Sequence, residues 1–191
     1  MIMKTLNQYI QEKLIINKDY RDAKIAAPKT FDELRKIIED RYDKLGPGTE
    51  QDPIDFNDID VSNLDSFCNE LLGLFEETNF KYINISDWDV SNVKLMCSMF
   101  GDCEELESIG DISGWDVSKV TDMSNMFYCC KKFNQDISCL NISKVINMSY
   151  MFYGCKSFNQ DISNWDVSNV RQKNHMFDNC PIKNEYKPKF K

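Results

Sequence analysis

Polar and apolar positions change rhythm twice along this 191-residue chain. Over residues 3–16, Leu6, Tyr9, Ile10 and Leu14 form one stripe at helical spacing, which predicts an amphipathic helix suited to docking. The stretch Asn17 to Pro28 reads as a linker. A second stripe follows, made by Phe31, Leu34, Ile37, Ile38, Tyr42 and Leu45. It opens on a capping box, Thr30 to Glu33, and stops at Gly46-Pro47-Gly48, so a helix is predicted between them. From residue 54 the rhythm becomes a unit of about 25 residues, and a fixed period of that size decides an architecture before propensity does.

Three blocks recur in order. Trp88-Asp-Val-Ser, Trp115-Asp-Val-Ser, Leu140-Asn-Ile-Ser and Trp165-Asp-Val-Ser start 27, 25 and 25 residues apart. Met99-Phe100, Met126-Phe127, Met151-Phe152 and Met176-Phe177 keep the same spacing, each followed three residues later by a cysteine, Cys103, Cys130, Cys155 or Cys180. Phe133-Asn-Gln-Asp-Ile-Ser and Phe158-Asn-Gln-Asp-Ile-Ser close the unit, and Ile59-Asp-Val-Ser begins a degenerate first copy. About five units lie between residues 54 and 181. Within one unit, Trp115, Asp116 and Val117 alternate as a short strand would, and Val120, Met123, Met126, Phe127 and Cys130 mark one face of a helix of about three turns. Ser118 stands at the N-cap position, as do Ser91, Ser143 and Ser168. A lone unit cannot cover this stripe, whereas stacked units bury it, at roughly 1.5–3 kcal/mol for each Met or Phe.

The expectation is an α/β fold: a right-handed, leucine-rich-repeat-like solenoid of short strands and short helices. Residues 1–50 form a helical segment and cap, 51–181 the solenoid, and 182–191 a mobile basic tail.

These blocks resemble the roughly 25-residue repeats of the BspA-like leucine-rich-repeat surface protein family, over residues 59–181. The resemblance implies a strand-and-helix solenoid that binds other proteins at a bacterial surface, and it implies no catalytic residues. Similar short copies without export signals occur in phage genomes. This chain departs from the pattern at Leu140-Asn141-Ile142, in its small number of repeats and in its amino terminus, which carries no apolar signal segment.

Charge narrows the partner. With 31 acidic against 23 basic side chains and a net charge of -8, the chain lacks the basic footprint of a nucleic-acid binder. Residues 51–180 alone hold 21 acidic and 9 basic side chains. No run of apolar residues is long enough to span a membrane, and a cytoplasmic location is expected, with a virion or the cell surface as alternatives. A single histidine removes most His-based catalysis, no nucleophile or phosphate-loop motif occurs, and no cofactor is expected. Of eight cysteines, the four after the Met-Phe pairs are expected as a buried column, and all as free thiols of a reducing compartment; their spacing suits no metal.

Asp89, Asp116 and Asp166 lie between inward Trp and Val, so they point outward. They form either a column that attracts Ca²⁺ or a basic partner, or Asx turns that satisfy nearby amides. Tyr128 and Tyr153 stand outside the apolar stripe and are expected on display. Those five residues are the candidate binding set for a protein or a glycan. A virion component attached through residues 3–16, and a carbohydrate-acting enzyme using paired aspartates, are the alternatives.

Overall fold

The computed structural model describes residues 27–69 and 73–190; the stripe at 3–16 and most of the Asn17–Pro28 linker lie outside them. Helix α1, Phe31–Leu45, forms where the capping box places it. The Thr30 side chain accepts the Glu33 N–H at 3.2 Å, Glu33 reaches back to the Lys29 N–H at 2.7 Å, and Gly46 closes the helix by donating to Tyr42 O at φ 76°. Leu34, Ile38 and Leu45 are buried.

Beyond α1 the repeats lie side by side. Strand β1, Ile54–Asp55, pairs in parallel with β2, Ile83–Asn84. Single parallel bridges continue the relation from Ser66 to Leu95, Asp122, Asn147 and Gln172, each to its equivalent one repeat on. The rings of Phe75, Phe100, Phe127, Phe152 and Phe177 stack in that order, with centroids 5.3, 5.4, 5.7 and 5.8 Å apart and planes within 15°. Phe133 and Phe158 stack against this column at 4.3 and 4.2 Å. Val120, Met123, Met126, Phe127 and Cys130 are all fully buried, as their spacing requires.

The secondary structure inside a unit differs from the expectation. Among the described residues α1 is the one α-helix; the Val120–Cys130 stretch and its equivalents are runs of turns, and Trp115–Val117 is not a strand. The reason is where the amides go. Met96, Ser98, Phe100 and Asp102 donate to Asp122, Ser124, Met126 and Tyr128 of the next repeat at 2.7–3.0 Å, so these N–H groups are spent outside their own segment. The intervening amides close i→i+3 turns, such as Cys130 to Phe127 O at 3.1 Å. Residues with positive φ interrupt any helix, Asn125 and Cys129 in one unit and Ser98 and Asp102 in another. Turns of three residues keep the same positions inward as a helix does, so burial follows the pattern while hydrogen bonding does not. The serines are not N-caps either: Ser91, Ser118, Ser143 and Ser168 donate their amides to the residue two before.

Two further expectations are corrected. Cys68 and Cys97 form a disulfide with a Cα separation of 5.7 Å, so not all thiols are free. The Ser66–Leu95 bridge sets this up, because residues two places on from a bridged pair fall on the same side. The tail is not loose. Ile182 and Pro188 are buried, Asn184–Tyr186 makes a 3-10 turn, and Tyr186 O accepts the Ile162 amide at 3.0 Å, in place of a further repeat.

The opposite end is closed by α1. Arg35 donates to Gly73 O, Leu74 O and Glu76 O at 2.6, 3.3 and 3.1 Å. Arg41, 1% exposed, pairs with both carboxylate oxygens of Asp58 at 2.7 and 2.9 Å, donates to Asp55 O and lies over the Phe56 ring. Such pairing offsets the desolvation of a buried guanidinium. Tyr42 meets Phe80 edge to face at 4.8 Å.

Candidate functional site

Outward side chains inherit the repeat spacing, so equivalent residues form columns. Asp89, Asp116 and Asp166 are exposed, each between a buried Trp and a buried Val. In each, Oδ1 accepts the amide of the serine two residues on at 3.0 Å. Asp60, Asp111, Asp136 and Asp161 make the same Asx turn, and Asn141 makes it with its amide oxygen at 3.3 Å. The serine hydrogen bonds hold the carboxyls of Asp60, Asp89, Asp111, Asp116 and Asp161 below the ordinary carboxylate value. Each aspartate therefore closes a turn and also displays negative charge. Among the described residues no three His, Cys, Asp or Glu side chains are grouped to hold a metal ion.

The tyrosines are brought together more closely. Tyr128 and Tyr153, both half-buried, stack at 5.2 Å with planes 9° apart. Tyr150 leans on Tyr153 at 5.9 Å, and His175 stacks on Tyr150 at 4.9 Å while pairing with Asp178 at 2.7 Å. Backbone bonds fix the set, with Asp102 N–H to Tyr128 O and Cys129 N–H to Tyr153 O both at 2.7 Å. Sequence spacing aligns Tyr150 with His175 but gives no sign that the two touch; the signal it carries is a column position held by Ser98, Asn125, Tyr150 and His175, all at positive φ. The serine bonds of Asp89, Asp116 and Asp166 stay within their own turns, and the ring contacts run among Tyr128, Tyr150, Tyr153 and His175.

The electrostatics of the patch favour held protons. The neighbouring Cys129 thiol and burial push the Tyr128 phenol up, and burial pushes up the Cys129 thiol and the Asp102 carboxyl. A Tyr128 phenol and a Cys129 thiol that hold their protons can donate hydrogen bonds. The core cysteines are further removed from reaction. Cys103, Cys130 and Cys155 each donate Sγ–H at 2.9 Å to the carbonyl of Phe75, Phe100 or Phe127 in the preceding repeat, and burial pushes the Cys103 thiol up to about 12.

Taken together, parallel-bridged copies of one unit with outward side chains in columns define a tandem-repeat protein. Residues 55–189 match the family described as "Mycoplasma protein of unknown function, DUF285", and the chain belongs to that family. No curated protein and no solved structure matches the chain. Among the described residues no helix is long and apolar enough to cross a membrane.

Proposed function

We propose that the chain is a non-enzymatic interaction module: a BspA-like, right-handed solenoid whose lateral columns bind another protein. The parallel bridges between successive repeats support the solenoid reading. The observation that carries the function is the half-exposed Tyr128–Tyr153 stack with Tyr150 and His175 beside it. Ordered tyrosines supply contact area with little side-chain entropy left to lose, which is why they are enriched where proteins meet. Stacking covers the facing side of each ring, which leaves less ring face for a sugar. That suits packing and hydrogen bonding by a protein better than a sugar stacked on a ring, so a glycan is the second reading. Asp89, Asp116 and Asp166 add a negative field that selects basic partners.

The test immobilises the chain and its Tyr128→Ala/Tyr153→Ala variant, captures partners from extract, and probes both on a glycan array. Protein capture by the wild type that is lost in the variant supports the reading. Glycan binding lost in the variant transfers it to sugars. Glycan hydrolysis that survives purification and disappears with a single Asp substitution overturns it in favour of an enzyme.

A further inference from the structure

Each repeat hands amides forward to the next. Met148, Tyr150, Phe152 and Gly154 donate to Gln172, Asn174, Met176 and Asp178 at 2.8–3.0 Å. One repeat further, the equivalent donors are the amides of Lys173, His175, Phe177 and Asn179, and among the described residues none of the four meets an acceptor. The carbonyls of Lys173, His175 and Phe177 are spent on i→i+3 turns to Met176, Asp178 and Cys180. This edge therefore presents donors without acceptors, unlike an ordinary strand edge, which offers both.

The other end shows how such an edge is satisfied. Leu74 O and Glu76 O stand where Met99 O and Gly101 O accept amides from the preceding repeat, and Arg35, a side chain with donors alone, fills them. At the donor edge the tail covers the flank, with Tyr186 O on Ile162, Lys187 Nζ 5.5 Å from the Phe177 ring and the Phe190 ring 4.3 Å from Lys173 Nζ, while Lys173, His175 and Asn179 stay exposed. The complement of a donor-only edge is an acceptor-only partner. Charge points the same way: residues 171–190 carry Arg171, Lys173, Lys183, Lys187 and Lys189 against Asp178 and Glu185, whereas residues 51–170 hold 20 acidic and 7 basic side chains. A second copy is a poor occupant, because Arg35 fills its carbonyl edge and two donor edges cannot pair.

We propose that the Lys173–Asn179 edge docks an acidic peptide segment of a partner protein, whose carboxylates and carbonyls accept these four amides. The mode is capture of acceptor groups by backbone amides, biased by charge. It shares His175 with the tyrosine patch, which uses the imidazole ring where the edge uses the backbone amide, so its failure leaves the lateral binding reading standing.

The experiment titrates the full chain with a fluorescent peptide of about ten residues alternating Glu and Thr, and with its Lys-for-Glu counterpart, then follows amide hydrogen exchange. The Glu peptide is expected to bind and to slow exchange at residues 173, 175, 177 and 179 by about tenfold or more, leaving Met176, Asp178 and Cys180 unchanged. The double variant Lys173→Glu/Lys187→Glu is expected to weaken binding about tenfold, and Tyr128→Ala/Tyr153→Ala to leave it intact. Absence of Glu-peptide binding, equal binding of the Lys peptide, or binding that leaves the four amides unprotected overturns the proposal. Protection of those amides that rises with protein concentration and without peptide also overturns it, by assigning the edge to a second copy.

Discussion

Replacing Phe127 by alanine probes whether stability resides in the continuous ring column. Phe127 is fully buried, with Phe100 at 5.4 Å, Phe152 at 5.7 Å and Phe133 at 4.3 Å. Removing a ring enclosed by three others leaves a cavity that neighbours held by cross-repeat hydrogen bonds cannot collapse into, so the loss belongs at about 4–5 kcal/mol, the upper part of the usual range. Phe177 ends the same column, is half-buried, and among the described residues has one ring neighbour, Phe152 at 5.8 Å. Its truncation removes mostly partial burial, about 1–2 kcal/mol. The chemistry of the two substitutions is identical, so the gap of about 3 kcal/mol isolates position in the stack. With a urea slope of about 2 kcal/mol per molar, the midpoints of Phe127→Ala and Phe177→Ala are expected to differ by about 1.5 M. Equal midpoints, or a larger loss at Phe177, would refute a core built as one column.

Four further outcomes can be checked. Trp115 Nε1 donates to Ile85 O at 3.2 Å, whereas Trp165 Nε1 is buried without a partner among the described residues; thermal unfolding should show Trp115→Phe to be more destabilising than Trp165→Phe by about 1–2 kcal/mol. Reducing Cys68–Cys97, which closes a 29-residue separation, should lower stability by about 3.5 kcal/mol in denaturant titrations with and without reductant, and an unchanged midpoint counts against the bond. Asp89 and Asp116 have lowered carboxyl values in the folded chain, so they stabilise it above their ordinary value of 3.8, and that contribution disappears as pH falls through the lower folded value. Asn141 shows that an amide keeps the turn, so Asp89→Asn/Asp116→Asn should retain the fold and lose less stability than wild type between about pH 5 and about pH 2. Thiol labelling of the native chain should reach exposed Cys139 first and half-buried Cys129 next; rapid labelling of Cys103, Cys130 or Cys155 would contradict their burial.

The interaction reading and the donor edge have one physical source. Because each repeat but the last spends its amides on the next, sides and ends of the stack differ in kind. Sides display ordered side chains, and ends display unspent backbone groups. The arginine at one end and the tail at the other each answer that problem with the chemistry the exposed groups require, donors for carbonyls at Arg35 and a carbonyl for an amide at Tyr186.

Much of this was written in the order of residues. Period, copy boundaries, the capped helix Phe31–Leu45, and the inward set of Trp, Val, Met, Phe and Cys follow from apolar spacing and turn chemistry, because a unit with one apolar stripe has no other way to hide it. Spacing of three to four residues does not, however, separate a helix from a run of three-residue turns. That choice fell to the neighbouring repeat, whose carbonyls compete for the amides of Ser98, Phe100 and Asp102. The Cys68–Cys97 bond, the contact of Tyr150 with His175, the burial of Arg41 against Asp58 and the docking of the tail likewise depend on residues distant in sequence. Apolar pattern is local and sets what must be hidden; hydrogen-bond partners are chosen only when segments meet, and tertiary structure alone decides them.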